Sequence, residues 1–251
     1  MSSCIVVLYT TVLTLAAGLW CPTPAAAQSA DANPDALYGG RATPPNAARA
    51  AEIWAIALQR DPTDVTAAWK LSRACHWLGD HATGDQARAQ YERGVTAGDT
   101  AARLAPNRPE GHFWMAANMA GLAESQGMRA GLRYKTAIRL ALERVLRIDP
   151  AYQQGSADRA LGRWYYKVPG LVGGSKQESE AHLRKALTYN PQSTVTRYFL
   201  AETLIALGRT AEARSELQNV IDAPLDPDWT PEDQEWKAKA RGLLGEIRNE
   251  K

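Results

Sequence analysis

The sequence predicts an all-α solenoid of helical pairs, and three observations carry that prediction. Four short segments, "RDPTD", "LAPNR", "RIDPA" and "YNPQS", each close an amphipathic stretch, and their prolines Pro62, Pro106, Pro150 and Pro191 stand 44, 44 and 41 residues apart. Proline lacks the amide donor and restrains the residue before it, so each one ends a helix. Between the prolines a large and a small residue sit side by side, with a further packed residue three places beyond the small one. The sets are Leu71-Ser72 with Cys75, Met115-Ala116 with Met119, Leu161-Gly162 with Tyr165, and Leu200-Ala201 with Leu204. The small residue admits the second helix of a pair, and its large neighbours fill the surrounding space. Strand signals are nearly absent, since β-branched residues never alternate with polar ones over a useful length.

Taken in chain order, residues 1–27 read as an export signal. The first forty residues hold no Lys or Arg, Cys4–Trp20 is almost entirely apolar or hydroxylic, and Ala25-Ala26-Ala27 offers small residues before a cut at Gln28. A run this short, followed by such a site, fits a secretory signal better than a spanning helix and places the mature chain in the periplasm. Cys21 raises lipidation, but Trp20 is too bulky for the position before a lipidated cysteine. Residues 28–46, rich in Ala, Asp, Pro and Gly, read as a flexible lead-in. The helical domain then occupies residues 47–251.

Within that domain a lone helix is expected around Ala47–Gln59, then four helix pairs from about Val65 to Pro224. Helix pairs punctuated by Asp/Asn-Pro are the pattern of tetratricopeptide repeats, whose unit is about 34 residues; each unit here carries several more. Second helices show "AAEIWAIALQRDP", "AIRLALERVLRIDP" and "AHLRKALTYNP", with apolar residues at helical spacing. In the cleanest unit, "TVTRYFLAETLIALGRTAEARSELQNVIDAP", Gly208 ends the first helix and Ala213 and Leu217 start the packed stripe of the second. A capping helix, roughly Pro231–Arg248, is expected to start from Thr230 as N-cap. Glu232 and Asp233 stand near its positive end, and Leu243, Leu244 and Ile247 lie on one side.

Charge and cysteine content exclude several functions. The net charge is +2 with no polybasic run, so neither nucleic acid nor an anionic membrane surface is a suggested partner. Removing the signal takes Cys4 and Cys21 with it. Cys75 alone remains, and no intramolecular disulfide can form. The glycine-rich "VPGLVGGSK" lacks the P-loop spacing and has no strand before it, so it reads as a connector in which Ser175 and Glu178 form a capping box. No histidine stands in a metal-ligand spacing, no cofactor motif occurs, and Cys75 sits at a packed position; an enzyme is not expected.

The inner faces of the first helices offer the candidate binding surface. Counting from the large-small pairs places Trp69, Arg73, His76 and Trp77 there, then Glu110 and Phe113. Arg159, Arg163, Tyr166 and Lys167 follow, and lastly Tyr198 and Glu202. Aromatic surface interleaved with arginine suits an organic anion or an acidic or C-terminal peptide. The competing reading puts Trp69, Trp77 and Trp114 in the core and the arginines in solvent.

Three segments, "EGHFWMAANMAG" (Glu110–Gly121), "VPGLVGGSKQESEAHLRKAL" (Val168–Leu187) and "DPDWTPEDQEWKAKARGLL" (Asp226–Leu244), resemble the T-component of tripartite ATP-independent periplasmic (TRAP) transporters. The resemblance runs from about Ala47 to Leu244. It implies a non-catalytic periplasmic homotrimer that docks the solute-binding P-component. It also implies cavities leading to a central pore and uptake of an organic acid or other small, hydrophobic ligand. That family includes lipoproteins, from which Trp20 before Cys21 departs. The alternative on the same residues is a general tetratricopeptide adaptor of the cell envelope.

Overall fold

Four turns that share one backbone closure join successive helical pairs in the computed structural model, which describes residues 33–43, 45–127 and 131–249. The expected export segment, its cut before Gln28, and Cys21 lie outside those residues. At the Asp/Asn-Pro connectors the side chains of Asp61, Asp149 and Asn190 each accept the amide two residues on, at 2.9 Å. In all four connectors a backbone amide closes back over three residues: Asp64 to Asp61, Arg108 to Ala105, Tyr152 to Asp149, and Ser193 to Asn190. The proline ends one helix and the Asx-type turn redirects the chain into the next. The turn at Pro106 lacks the Asx residue, and Arg144 supports it instead by donating to the Pro106 carbonyl and Asn107.

The helices so joined are α1 (Pro34–Gly39), α2 (Asn46–Arg60), α3 (Val65–Asp80), α4 (Gly84–Leu104), α5 (Pro109–Ser125) and α6 (Lys135–Ile148), followed by α7 (Tyr152–Lys167), α8 (Lys176–Tyr189), α9 (Thr194–Ala206), α10 (Thr210–Asp222) and α11 (Thr230–Asn249). The four predicted pairs are α3–α4, α5–α6, α7–α8 and α9–α10, with α2 as the lone helix before them. Part of the expected lead-in is structured. Asn33 accepts the amide of Asp35 at 2.9 Å and Pro34 opens α1, whose Tyr38 is buried against Trp54. Proline and glycine content suggested flexibility there, but the same Pro and Asn are helix-start residues once Tyr38 has a core to enter.

The small residues of the repeat do what their size allows. A Cβ on Gly162 would lie 2.5 Å from Leu183 of α8. Ser72 donates to the Gly94 carbonyl at 2.7 Å, and buried Asn118 donates to the carbonyls of Ser72 and Trp114, tying α3, α4 and α5 together. Gly208 (φ +75°) ends α9, with the Arg209 amide on the Leu204 carbonyl at 2.8 Å. Ala213 and Leu217 are fully buried.

Three local starts differ from expectation. Gln153, Gln154 and Gly155 open α7 in left-handed conformation, with φ of 44°, 60° and 77°. Ser175 accepts the Glu178 amide at 3.1 Å, but its own amide goes to the Tyr165 carbonyl, so only half of the capping box forms. Thr230 lies inside α11, and its hydroxyl donates to the Asp226 carbonyl rather than capping.

The array closes on itself. After α10 the chain returns through Asp226–Trp229 to the beginning of the domain, where buried Arg41 donates to both oxygens of Glu232 and to the Asp228 carbonyl. The Arg41 guanidinium lies 5.3 Å from the Trp77 ring centroid and 5.8 Å from that of Trp229. One turn along α11, Glu235 meets His81 at the end of α3 at 2.8 Å. The capping helix thus seals the hydrophobic end through Ala240 and Ile247, while its N-terminal half bridges back to the first pair.

Candidate functional site

The concave face, with α11 returning across it, forms a half-open chamber of about 1230 Å³. Its wall takes residues from α3 to α7, α9 and α11, and aromatic rings recur along it, among them Phe113, Trp114, Trp164, Phe199, Trp229 and Trp236. Glycine makes part of the space. Tyr91 of α4 reaches the wall between Gly79 and Gly121, and a Cβ at either glycine would strike its ring. Its hydroxyl donates to Asp80 at 2.6 Å, and burial followed by that carboxylate pushes the phenol well above its usual range.

Of the residues placed on the inner face by the sequence, His76, Trp77, Phe113, Arg159, Arg163, Lys167, Tyr198 and Glu202 line this chamber. Trp69 and Arg73 do not. Arg73 turns toward α1, stacking at 4.1 Å from the Tyr38 centroid and 5.0 Å from that of Trp69, and Trp69 packs on the core around Phe113 and Trp114. Burial lowers the Arg73 pKa, and Asp35 at 3.9 Å offsets part of that. Glu110 is held by Arg108 at 2.7 Å in the first turn of α5. Tyr166 is covered by Lys176, whose ammonium sits 3.8 Å from the ring centroid and donates to the Tyr166 carbonyl. That contact also answers for the lysine of the glycine-rich connector: it is a strut from α8 to α7.

Sequence reasoning missed Tyr91, Phe199, Trp229 and Trp236. Trp229 and Trp236 stand seven residues apart, a helical repeat legible in the sequence, but their role requires α11 to turn back across the chamber mouth. Arg41 carried no sequence signal, since one arginine in a Pro/Gly-rich stretch resembles solvated linker.

The electrostatics of the wall are mostly settled internally. Arg163 pairs with Glu202 at 2.6 Å and stacks 4.5 Å from the Phe199 centroid. Lys167 reaches Glu124 at 4.0 Å, His76 reaches Asp80 at 3.2 Å, and Lys239 lies 4.0 Å from the Trp236 centroid. Lys135 donates to the Val172 carbonyl at 2.8 Å. His81 has an acceptor at each ring nitrogen, the Trp77 carbonyl at 2.7 Å and Glu235 at 2.8 Å, so the wall favours its charged form.

No group of three metal-ligating side chains forms among the described residues. Cys75 is fully buried, and burial pushes its thiol up to about 12, the opposite of nucleophile activation. The Asp158–His182 pair, 2.7 Å apart, lies between α7 and α8 with Tyr165 stacked on the imidazole. It ties those helices together outside the chamber wall.

A family profile described as regulator of microtubule dynamics protein 1-3 matches residues 34–173, more than half of the chain, and one described as tetratricopeptide repeat matches residues 177–241. Among solved structures the chain is similar to a thermophilic TPR protein in Thermus thermophilus, at 20% identity and a TM-score of 0.63, covering 84% of this chain and 95% of that one. It is also similar to MamA, at 15% identity and a TM-score of 0.47, covering 77% of this chain and 92% of that one. No curated protein sequence matches. The Thermus likeness shows the fold, a tetratricopeptide-type helical array.

Proposed function

The chain belongs to the regulator of microtubule dynamics protein 1-3 family, and from that premise we propose that it is a non-enzymatic interaction protein whose working surface is the inside of the half-open chamber. Tetratricopeptide arrays generally hold protein partners on their concave face. The observation that carries the proposal is the closure by Arg41, Glu232 and Asp228. A solenoid needs no contact between its first and last elements to be stable, because each repeat packs only on its neighbours. Burying an arginine to join them is costly unless every donor is met, and the join is best accounted for by the space it encloses.

A more specific reading is service in a TRAP-type uptake system, with this chain as a periplasmic homotrimer docking a solute-binding P-component. It rests on the three segments that resemble the T-component. Within them Phe113 and Trp114 are buried and Val168–Ser175 is a connector, tasks that any helical array of this kind sets. The general adaptor therefore stands first. The family's own description supplies another context, regulation of microtubule dynamics, in which the partner would belong to the microtubule system.

The test is capture of a protein partner by the full chain with the chamber filled. Ala120 and Ala160 both line the wall, so Ala120→Trp or Ala160→Trp occupies it. Leu140, 52% exposed and outside the wall, supplies the control Leu140→Ala. Partners retained by the control and lost by the filled variants, with helicity unchanged by circular dichroism, support the reading. Equal capture by all variants sinks it.

A further inference from the structure

Helix α1 packs on α2 and α3 and engages Arg73, which helix phase assigns to the inner surface, together with Lys70 beside it. Asp35 accepts from the Lys70 ammonium at 2.7 Å and lies 3.9 Å from the Arg73 guanidinium. Tyr38, three residues later and so on the same side of the helix, is buried with Trp54, their ring centroids 6.0 Å apart. The Arg73 guanidinium stacks 4.1 Å from the Tyr38 centroid and 5.0 Å from that of Trp69. The fit is incomplete. At 3.9 Å the Asp35–Arg73 contact is beyond hydrogen-bond length, and Arg73 Nε and Trp69 Nε1 are both buried with no acceptor among the described residues. Buried donors are nearly always met, and α1 meets neither.

The same helix is weakly held. Its six residues are too few for a helix to be stable by itself. Asp35 keeps about half of its side-chain surface (52%), and Gly39 and Gly40 follow Tyr38 directly. Beyond those glycines Arg41 is fixed to Glu232 and to the Asp228 carbonyl. Helix α1 therefore has a pivot at one end and an anchor behind the pivot, so it can leave the face without releasing the chain.

We propose that α1 is a strap standing in for a partner on the α2–α3 face, and that the partner is a protein segment presenting a carboxylate and, three positions later on one helical side, an aromatic ring. The contacts of α1 name that chemistry. Lys70 and Arg73 converge on one carboxylate, and Trp54 and Trp69 flank the place of one aromatic side chain. A carboxylate that meets the Arg73 guanidinium with two parallel hydrogen bonds supplies what Asp35 does not. The tethered strap is present at high effective concentration, so a partner binds only by displacing it. This surface lies beside the chamber and goes beyond the reading of the chamber as the working surface.

The experiment uses the purified full chain and a synthetic peptide with the sequence of residues 33–40, blocked at both ends. Binding is followed by the indole N–H signals of Trp54 and Trp69 in NMR spectra. Tyr38→Ala loosens the strap and is expected to bind the peptide at least roughly tenfold more tightly than the native chain does. In that variant, a peptide with Asn in place of its Asp is expected to bind roughly tenfold more weakly, the scale of one charge-assisted contact. Adding Arg73→Met is expected to erase the difference between the two peptides. Circular dichroism and cooperative urea unfolding show whether Tyr38→Ala folds. Asp35→Asn, at a half-exposed side chain, carries the same expectation at smaller size and keeps the test in force if it does not. Equal binding by the native chain and the strap variants, or binding by none, overturns the strap. Equal binding of the Asp and Asn peptides overturns the acidic partner. Partner capture by the chamber-filled variants judges the chamber separately, so either reading fails without the other.

Discussion

Arg41 and Glu232, 191 positions apart in sequence, form a two-pronged ion pair: the Arg41 Nε donates to one carboxylate oxygen at 2.8 Å and a terminal nitrogen donates to the other. Burial works to lower the arginine's pKa, and the hydrogen bonds and charge of Glu232 outweigh it and raise it. The Asp228 carbonyl takes a further donor at 2.8 Å. The guanidinium is thereby satisfied where it is almost entirely out of water, the condition under which a buried pair holds.

Arg41→Ala should therefore destabilise the fold by about 3 kcal/mol, since it strands Glu232 beside the chamber. Glu232→Gln keeps the acceptor oxygen and should cost less. Chemical denaturation of both variants and of the double variant measures the coupling. A coupling near zero would show that the closure is incidental.

The second closing contact should respond to pH. His81 is pushed down by burial, but its hydrogen bonds to Glu235 and the Trp77 carbonyl push it up by more, and the net shift is upward. A group whose folded pKa is raised adds stability that is fully present below its unfolded value, about 6.5. That stability is lost as pH rises through the folded value. The melting temperature of the native chain should thus exceed that of His81→Gln under mildly acidic conditions, and the gap should shrink as the imidazole deprotonates. A gap that widens with rising pH contradicts this.

The helical pairs were legible because their signals are local. The Asp/Asn-Pro turns and the Leu-Gly or Leu-Ala steps act within one repeat, so a single sequence displays them. Closure was not legible, because Arg41, His81, Glu232 and Glu235 belong to opposite ends of the domain. Nothing in the neighbourhood of Arg41 distinguishes a clamp from a solvated linker residue. The inner-face residues divide along the same line. Helix phase placed Arg159, Arg163, Tyr198 and Glu202 on the chamber wall. Arg73 was drawn from it by α1, an element concealed in a Pro/Gly-rich stretch, and Trp69 packs into the core.

Gly162 gives a direct test of the local rule. A Cβ there meets Leu183 Cγ at 2.5 Å and the Ser179 carbonyl at 3.1 Å. Gly162→Ala should gain helix propensity of about 1 kcal/mol yet destabilise overall by about 1–2 kcal/mol, because overpacking between α7 and α8 outweighs the gain. Urea denaturation decides the sign. A stabilised variant would mean that the two helices can part without loss.

Cys75 should be inert to thiol reagents in the native state. It is fully buried, and burial pushes its thiol up to about 12, so almost no thiolate exists at neutral pH. Peptide mapping after iodoacetamide treatment should find Cys75 unmodified in buffer and fully alkylated in denaturant. Rapid native alkylation would place it on an opening surface.

Arg163 and Glu202 make the last prediction, because both belong to the chamber wall and each is the other's partner. The pair is 2.6 Å apart, and each side chain keeps only about a fifth of its surface (22% and 21%). Arg163→Ala leaves Glu202 without its cation, and Glu202→Gln leaves Arg163 without its anion. In the double variant neither charge is stranded, so the double loss should be smaller than the sum of the two single losses. Their coupling in stability should fall within about 0.5–3 kcal/mol, the range for contacting residues in one network. Urea denaturation of the four proteins measures it. Single losses that simply add in the double variant would show that the pair contributes nothing to holding α7 against α9.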